Sequence, residues 1–468
     1  MQLSAQITNS YNLSDYKLPE IRYQSLDAGI RLDGSSTSYE VDNYSTDRNT
    51  YFGNVNARYL SYLNSERFQR NSIIGINFQG EGYRNNDSTG KLKSSVFSPN
   101  ISYRIENRTF FNNKFFVETD LLADYSFNTH KYSMKVDDNV LSDYGANRHE
   151  IVVSLPLKVG IGRIEPVHDY YRAIYIYEEL LGSERAIAGK SDEEVLQLAT
   201  LISKLKRTRS FDSRIKNIQD IEAIDSFLIA NNYKTISDAR YFAILVDNWN
   251  FVPAYARNSG TTIALAFTPA YYYSFHESGN DESTTDATTK AWSTIGGLEL
   301  KHEKPINLFW QSSTFINAYT GLTNIKVDYS NSDQSSNDEE IYPNITAGLE
   351  QRIGYYPNTR TRVSLSLGLM YGQIFDRTDE EKGIYGVEGN HINPYAGLSA
   401  YYYFSPRLRL DFRSNYSYRA WESPDGIIAS TSANILYFNP NGLFDLRYSS
   451  KAKNSSASFN LSLIYSIF

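Results

Sequence analysis

The sequence predicts an antiparallel β-barrel that spans a membrane, with an α-helical segment inserted between two of its strands. Near the end of the chain Phe459, Leu461 and Leu463 share one face of a period-two strand, and Asn460 and Ser462 share the other. Similar segments recur along the chain, and strands that are apolar on one side and polar on the other suit a wall between lipid and water. Aromatic residues make up 14% of the sequence, an excess that two interfacial girdles would explain.

The composition argues against several other classes of protein. Mean hydropathy is −0.47, and no run approaches the ~20 apolar residues of a spanning helix, so a membrane location requires strands. The absence of Cys excludes a disulfide scaffold and thiolate chemistry. The formal charge of −7 argues against nucleic acid as a partner. A large soluble β-sandwich is the alternative fold, but it has no reason to present Leu and Tyr outward on many strands.

We predict about sixteen strands, with fourteen or eighteen as alternatives. An even number places both chain ends on one side of the membrane, which we expect to be the periplasmic side of a bacterial outer membrane. The predicted strands are 22–33, 51–62, 72–83, 95–106, 113–128, 148–161, 261–275, 292–304, 307–322, 341–355, 360–375, 391–404, 407–420, 427–438, 442–450 and 458–468. The predicted units are an N-terminal segment at 1–21, strands at 22–162, a helical insertion at 163–250 and further strands at 251–468.

The insertion at 163–250 changes from a period of two to a period of three or four. Glu165-Pro166 is typical of a helix start, and Ser191-Asp192-Glu193-Glu194 has the pattern of a capping box. Strand parity predicts a periplasmic location, either below the barrel or folded into it as a plug. Pro156, just before the insertion, predicts a β-bulge. The expected core of the insertion is Ile202, Leu205, Ile215, Ile218, Phe227, Leu228 and Phe242.

Charged residues at alternate positions predict a polar lumen. In 407–420 the arginines alternate with Leu408, Leu410 and Phe412, and an arginine facing hydrocarbon would cost ~2–4 kcal/mol at the midplane. The arginines would favour anions, whereas Asp411 and acidic outer loops would oppose that preference. The predicted lumen-lining residues are Arg362, Arg407, Arg409, Asp411, Arg413 and Arg419.

Polar segments and a basic cluster indicate surfaces that meet other molecules. We predict long outward loops at 129–147, 276–290, 323–340 and 376–390, in contact with outer-membrane lipid and lipopolysaccharide. The basic cluster in the insertion is either a solvated helix end, favoured by the helix dipole, or a contact site for an acidic envelope partner. Its residues are Lys204, Lys206, Arg207, Arg209, Arg214 and Lys216.

The final strand and both ends of the chain resemble those of outer-membrane β-barrel proteins of the porin-like kind, with features of the Bacteroidota type. The resemblance rests on the terminal Phe468, on the alternating strand before it and on Leu3-Ser4-Ala5-Gln6, which is similar to the end of a signal peptide. Ser466 departs from the usual pattern, in which apolar residues share the face of the terminal aromatic. The resemblance covers the strands and not the insertion.

Two functions follow from this fold. The first is a channel for passive or substrate-biased passage of small polar solutes, because a barrel of about sixteen strands leaves an aqueous path unless something plugs it. The second is a scaffold that docks a periplasmic or envelope protein through the insertion, since long insertions usually have a function. We predict no metal, cofactor or enzyme activity, since HExxH, G-x-S-x-G and phosphate-loop motifs are absent. A lipase or protease site built from neighbouring strands would escape this search.

Overall fold

The computed structural model describes residues 11–41, 44–87, 90–112, 114–136, 139–206, 213–250, 257–280, 283–331, 335–375, 389–405, 408–422, 435–439, 442–446 and 451–465. Both Leu3–Gln6 and the terminal residues Ser466 and Phe468, on which the resemblance partly rests, lie outside these ranges.

One antiparallel sheet of fifteen strands dominates the structure, and strands that follow each other in sequence are neighbours in the sheet. This result confirms the predicted all-β class, a transmembrane β-barrel sheet with an α-helical insertion. The strands before the helices are β1 (Ile21–Val41), β2 (Tyr44–Asn64), β3 (Phe68–Asp87), β4 (Gly90–Phe111), β5 (Phe115–Val136), β6 (Asn139–Ser154) and β7 (Leu157–Pro166). Those after the helices are β8 (Asn258–Gly279), β9 (Thr284–Pro305), β10 (Trp310–Asn331), β11 (Ser335–Asn358), β12 (Thr361–Ile374), β13 (Gly389–Ser405), β14 (Leu408–Glu422), β15 (Ile435–Asn439), β16 (Gly442–Leu446) and β17 (Lys451–Tyr465).

Pro156 interrupts the sheet without changing its register. β6 and β7 both pair with β5 and β8. Ser154 lies opposite Ala270 and Leu157 lies opposite Phe267, so no residue is inserted at the break. The ladder stops because proline has no N–H to donate. The predicted bulge at Pro156 is therefore wrong, and the fifteen strands occupy fourteen positions, which is one of the stated alternatives.

Two of the predicted strands, at 427–438 and 442–450, do not join the large sheet. β17 pairs directly with β14, from Leu408 opposite Tyr465 to Glu422 opposite Lys451, so this edge of β14 is taken. β15 and β16 form a separate two-stranded sheet, and residues 427–434 and 447–450 lie outside the described ranges. Alternation in a sequence predicts a strand but not the strand with which it pairs. This explains why the predicted number of strands in the large sheet is too high.

The outward face of the sheet carries an apolar band. On β12, Val363, Leu365 and Leu367 are exposed, whereas Arg362 and Ser364 are buried on the opposite face. The same division holds on the other spanning strands, where exposed Ile, Leu, Val and Phe alternate with polar or small residues. This is the arrangement of a barrel wall with lipid outside and a polar interior.

Aromatic pairs mark the two borders of this band. At one border Trp310 packs against Tyr355 with ring centroids 4.7 Å apart, and at the other Trp292 packs against Tyr271 at 4.3 Å. Trp292 lies opposite Asn324, fourteen residues along β10 from Trp310. At about 3.4 Å per residue and a strand tilt near 45°, this separation spans roughly 34 Å of thickness, which suits interfacial girdles.

Three segments predicted as long polar loops are extended β-hairpins. β5, β8, β9 and β10 have 22 residues each, about twice the ~9–11 that cross a bilayer. The loop predictions at 129–147, 276–290 and 323–340 are wrong because polarity reports contact with water and not the loss of backbone pairing. Nearly all of the fourth segment, 376–390, lies outside the described residues. The last pairs of the three hairpins are Val136 with Asn139, Gly279 with Thr284, and Ser330 with Ser335.

Four helices lie between β7 and β8, and together they form what we call the helical cap. They are α1 (His168–Gly182), α2 (Asp192–Leu205), α3 (Ser213–Ala230) and α4 (Ala239–Asn250). Ser191 and Glu194 form the predicted capping box at the start of α2. None of the helices in the described part of the chain is both long and apolar enough to cross a membrane.

The cap shares its core with the barrel and with the N-terminal segment. Leu13, Tyr16, Leu308 and Tyr356 are buried in the same cluster as α1, α2 and α4. Residues Asp169 to Tyr177 of α1 are all buried, because this helix lies between the other helices and the end of the sheet.

The predicted core of the insertion is correct only in part. Ile202 and Leu228 are fully buried, and Leu205 and Phe227 pack against the cluster. Ile215, Ile218 and Phe242 are instead exposed, and Ile221, Ile224, Tyr241 and Leu245 are buried in the cluster. The sequence stripe on α3 can be drawn along two adjacent helix faces, and only packing distinguishes them.

Candidate functional site at the capped end of the bore

The helical cap is fixed to one side of the barrel end by hydrogen bonds from α1. The hydroxyl of Tyr171 donates to the carbonyl of Tyr356 at 3.0 Å, and the hydroxyl of Tyr175 donates to that of Pro357 at 2.8 Å. Burial raises the pKa of both tyrosines above the ordinary value, so these hydroxyls stay protonated donors at any physiological pH. The last residues of β11 therefore hold α1.

Arg257 directly precedes β8 and links the cap to the neighbouring turn between β9 and β10, because its carbonyl accepts from the N–H of Val167 at the start of α1 at 2.7 Å. Its side chain is 1% exposed, and its guanidinium donates to the carbonyls of Leu308 at 2.5 Å, Asn307 at 2.8 Å and Trp310 at 3.0 Å. Burial lowers the pKa of Arg257, but an arginine remains charged at neutral pH. A charged donor that satisfies three backbone carbonyls is a strong and directional anchor.

The same guanidinium lies 5.0 Å from the ring centres of both Tyr171 and Tyr356. One residue of the cap and one of the barrel thus share a cation–π contact with Arg257.

α4 adds a second set of contacts on this side. Arg360 forms an ion pair with Asp247, and the hydroxyl of Thr359 donates to the side-chain carbonyl of Asn248 at 3.2 Å. The amide of Asn248 in turn donates to Glu179 at 2.8 Å. Burial raises the pKa of Glu179 despite this hydrogen bond. All these anchors lie on the side of β9 to β12.

Residues 11–20, which precede β1 and belong to no strand, also bind the cap. The hydroxyls of Tyr16 and Ser203 are 2.5 Å apart, and Ser203 donates to Asp169 at 2.5 Å. Tyr11 donates to Glu178 at 2.8 Å. Burial, and then the nearby Glu178 carboxylate, raise the pKa of Tyr11. Residues 11–20, before β1, therefore pack as part of the cap.

On the opposite side the cap leaves a cavity of about 1130 Å³, bounded by strands β1 to β5 and β7 to β9. Polar and apolar side chains both line the cavity, where the inner face of the sheet meets the helices. A smaller cavity of about 440 Å³ adjoins it through Lys301 and Asn258, which line both. Representative lining residues of the larger cavity are Asn71, Arg108, Lys206, Lys216, Trp249 and Lys301.

A charged cluster crosses the inner wall beside this cavity. Lys158 on β7 lies 3.0 Å from Glu118 on β5 and 3.3 Å from Glu299 on β9. It reaches Glu299 across β8 because the inward residues of β8 there, Ala264 and Ala266, are small. The wall on this side is thus held together by ion pairs across three strands.

The structure places the predicted lumen residues on the inner face, where it describes them. Arg362 is 4% exposed and Asp411 is 8% exposed. Arg409 pairs with Asp411 at 2.7 Å and donates to the Tyr403 hydroxyl at 3.0 Å. Arg413 is exposed. Arg407 and the side chain of Arg419 lie outside the described part of the structure.

The predicted basic cluster is divided by the fold. Lys204 is exposed at the end of α2. Lys216 donates to the carbonyl of Leu205 at 2.8 Å and pairs with Asp220 at 2.6 Å, so it caps α2. Lys206 turns inward and lines the cavity. Arg207, Arg209 and the side chain of Arg214 lie outside the described residues, so whether the cluster meets an acidic partner stays a prediction.

Sequence reasoning missed three cations of this site: Lys158, Arg257 and Lys301. Each is an isolated basic residue, and the segment around it was interpreted only for its alternation of apolar and polar residues. Lys158 and Lys301 could have been found, because each alternates with outward apolar residues on its strand. Arg257 has no such signal, since its contacts are with residues far away in the sequence.

No family model matches the chain, and no curated protein matches it in sequence. Solved structures give weak similarities to three membrane proteins. The translocator domain of the autotransporter NalP from Neisseria meningitidis is 7% identical, with 76% of this chain and 83% of that chain covered and a TM-score of 0.28. The alcaligin outer-membrane receptor FauA from Bordetella pertussis is 10% identical, with 86% and 62% covered and a TM-score of 0.30. The ferric yersiniabactin uptake receptor FyuA from Yersinia pestis is 7% identical, with 94% and 71% covered and a TM-score of 0.27.

Proposed function

We propose that this protein is an outer-membrane barrel that carries small polar solutes, and that the helical cap controls access to the bore. The observation that supports this most is the asymmetry of the cap. Discrete polar anchors hold its helices to β9–β12, whereas a large cavity separates them from β1–β5, and on that side the described contacts run through the N-terminal segment. A cover fixed on one side can open on the other without unfolding.

The location follows from the membrane band and from the ends of the chain. In the described residues β1 and β17 each pair with one neighbour only, and unpaired backbone groups are not tolerated in lipid. With fourteen positions the two edges run antiparallel, so we propose that they pair and close the barrel. β1 begins and β17 ends at the cap, and we assign this end to the periplasm, with the hairpins toward lipopolysaccharide.

A cysteine pair can test whether the anchored side of the cap is the hinge about which it opens. Because the chain has no Cys, the double variant Asn248→Cys/Thr359→Cys carries a unique thiol pair where these side chains meet at 3.2 Å. The disulfide would fix only the anchored side, which acts as the hinge in this proposal, so we expect the oxidised and reduced protein to conduct equally in planar bilayers. The single variants control for the lost hydrogen bond.

Two results would contradict the proposal. Loss of conductance on oxidation, restored by reduction, would show that the cap must separate from the anchored side, which contradicts a hinge there. A silent wild-type barrel, together with a silent reduced variant, would show that the protein is not a channel.

The scaffold function is the second candidate, and exposed apolar residues of the cap favour it. Ile218 on α3 and Phe242 and Val246 on α4 are 55%, 41% and 41% exposed, away from the barrel contacts. The double variant Ile218→Ser/Phe242→Ser should then lose cross-linked envelope partners while its conductance stays unchanged. An unchanged set of partners would eliminate this candidate.

A further inference from the structure

We propose that the large cavity under the cap binds a small organic anion carrying carboxylate or phosphate groups, and that Lys206 and Lys301 provide its charge contacts. This inference rests on the proposed transport function and names the class of solute. It depends on how the charges around the cavity are paired.

Lys206 has an ammonium group that is buried without a partner. Its Nζ is inaccessible to solvent and has no hydrogen-bond acceptor among the described residues. It lies 4.9 Å from the ring centre of Trp249, which gives a cation–π contact but accepts no hydrogen bond in the usual sense. An ammonium held away from water without an acceptor is costly, and rotation of the Lys206 side chain toward an anion in the cavity that it lines would remove that cost.

Lys301 extends into the cavity from β9, and the carboxylates beside it are engaged elsewhere. Glu299 pairs with Lys158 at 3.3 Å and accepts a hydrogen bond from Tyr319 at 2.6 Å. Glu303 accepts from Gln311 at 3.2 Å and from a serine of β10 at 2.5 Å. Within the described part of the chain no carboxylate lies within ion-pair distance of Lys301. Its charge is therefore available to a solute.

The carboxylates that line the cavity do not cancel these two charges, because each has its own cation within ion-pair distance. The four pairs are Glu106 with Arg104 at 3.7 Å, Glu118 with Arg108, Asp169 with Arg172 at 3.8 Å, and Asp220 with Lys216 at 2.6 Å. The cavity thus carries an excess of positive charge. Its remaining polar lining includes the neutral amides of Asn71, Asn217 and Asn258, which can donate to an anion.

The volume of about 1130 Å³ is slightly above the range of small-molecule sites, which are ~300–1,000 Å³. A hydrated organic anion would fit without displacing the cap. Because Lys301 also lines the adjoining cavity, a solute bound to it would reach both cavities.

Calorimetric titration of the detergent-solubilised full chain tests this site. The probes are citrate for carboxylates, pyrophosphate for phosphates and glucose as a neutral solute of similar size. We expect citrate, pyrophosphate or both to bind and glucose not to bind, and the tighter anion identifies the class. Lys301→Met and Lys206→Met should each weaken binding roughly ten-fold, as the loss of one charge-assisted hydrogen bond predicts.

The matched control is Lys290→Met, which removes an exposed lysine from the same strand outside both cavities. It should bind like the wild type. Lys301 is exposed, so its replacement should leave folding intact even if Lys206→Met does not fold. Unchanged binding by Lys301→Met, equal binding of glucose, or no binding of either anion would each overturn the inference. Binding is measured without conductance, so a silent barrel that still binds anions would contradict only the transport function.

Discussion

Arg257 is the single residue whose removal should most weaken the contact between cap and barrel. Arg257→Met would leave the carbonyls of Leu308, Asn307 and Trp310 without their donor in a buried site. We expect docking to weaken by roughly 2–3 kcal/mol. Amide hydrogen exchange of α1 should then accelerate. Arg31→Met, at an exposed ion pair of β1, is the control, and unchanged exchange in α1 would show that Arg257 is not the anchor.

Asp238 gives the cap a predictable dependence on pH. The hydrogen bond from Arg185, and then the backbone N–H of Tyr241, lower its pKa from 3.8 to about 2. A lowered pKa means that the stabilisation is present above pH 3.8 and is lost as the pH falls toward 2. Asp238→Asn should therefore melt below the wild type at neutral pH, with the difference vanishing in strong acid. The helical circular dichroism signal measures it, and a difference that grows on acidification would refute the assignment.

For single residues, the sequence predicts which face of a strand a side chain lies on better than it predicts which residues that side chain contacts. The inner-face positions of Arg362 and Asp411 follow from alternation alone. The partners of Arg409 do not follow from alternation. Arg409 pairs with Asp411 on its own strand and donates to the Tyr403 hydroxyl on the neighbouring strand. Lys206 was grouped with a basic cluster, and only the turn after α2 directs it into the cavity.

Among the elements, β12 offers the sharpest test of which face meets lipid. Leu367 is 51% exposed on the outward face, and Ser366 lies on the inward face. Leu367→Arg should impair assembly by ~2–4 kcal/mol, as an arginine near the bilayer midplane does. Ser366→Arg should assemble, because the bore accepts charge. Heat-modifiable migration in gels reports folding, and equal defects in both variants would show that the face assignment is wrong.

Most elements could be predicted because their signals are local. The capping box of Ser191 and Glu194 marks the start of α2, and alternation marks most of the spanning strands. The errors came from long-range pairing. The direct pairing of β14 with β17 removes two expected strands from the sheet, and the outer hairpins stay paired in water where the sequence indicated loops.

For the whole molecule, the shared core decides whether the cap is a domain or a part of the barrel. α1 is buried on all sides, and part of what covers it is Leu308 and Tyr356 from the barrel and Leu13 and Tyr16 from the N-terminal segment. A fragment of 163–250 lacks all four. It also has only ~90 residues, a size at which a chain buries little over 60% of its unfolded surface.

We therefore expect the excised fragment 163–250 to be helical but without a cooperative melting transition. The exposed face of α1 should also make it self-associate, which sedimentation measures beside circular dichroism. In the full chain the same helices should melt together with the contacts to the turns after β9 and β11. A fragment that stays monomeric and melts sharply would show that the cap is an independent domain. Such a domain would fit docking of a partner better than control of the bore, because a gate that shares its core with the barrel is coupled to it and an independent domain is not.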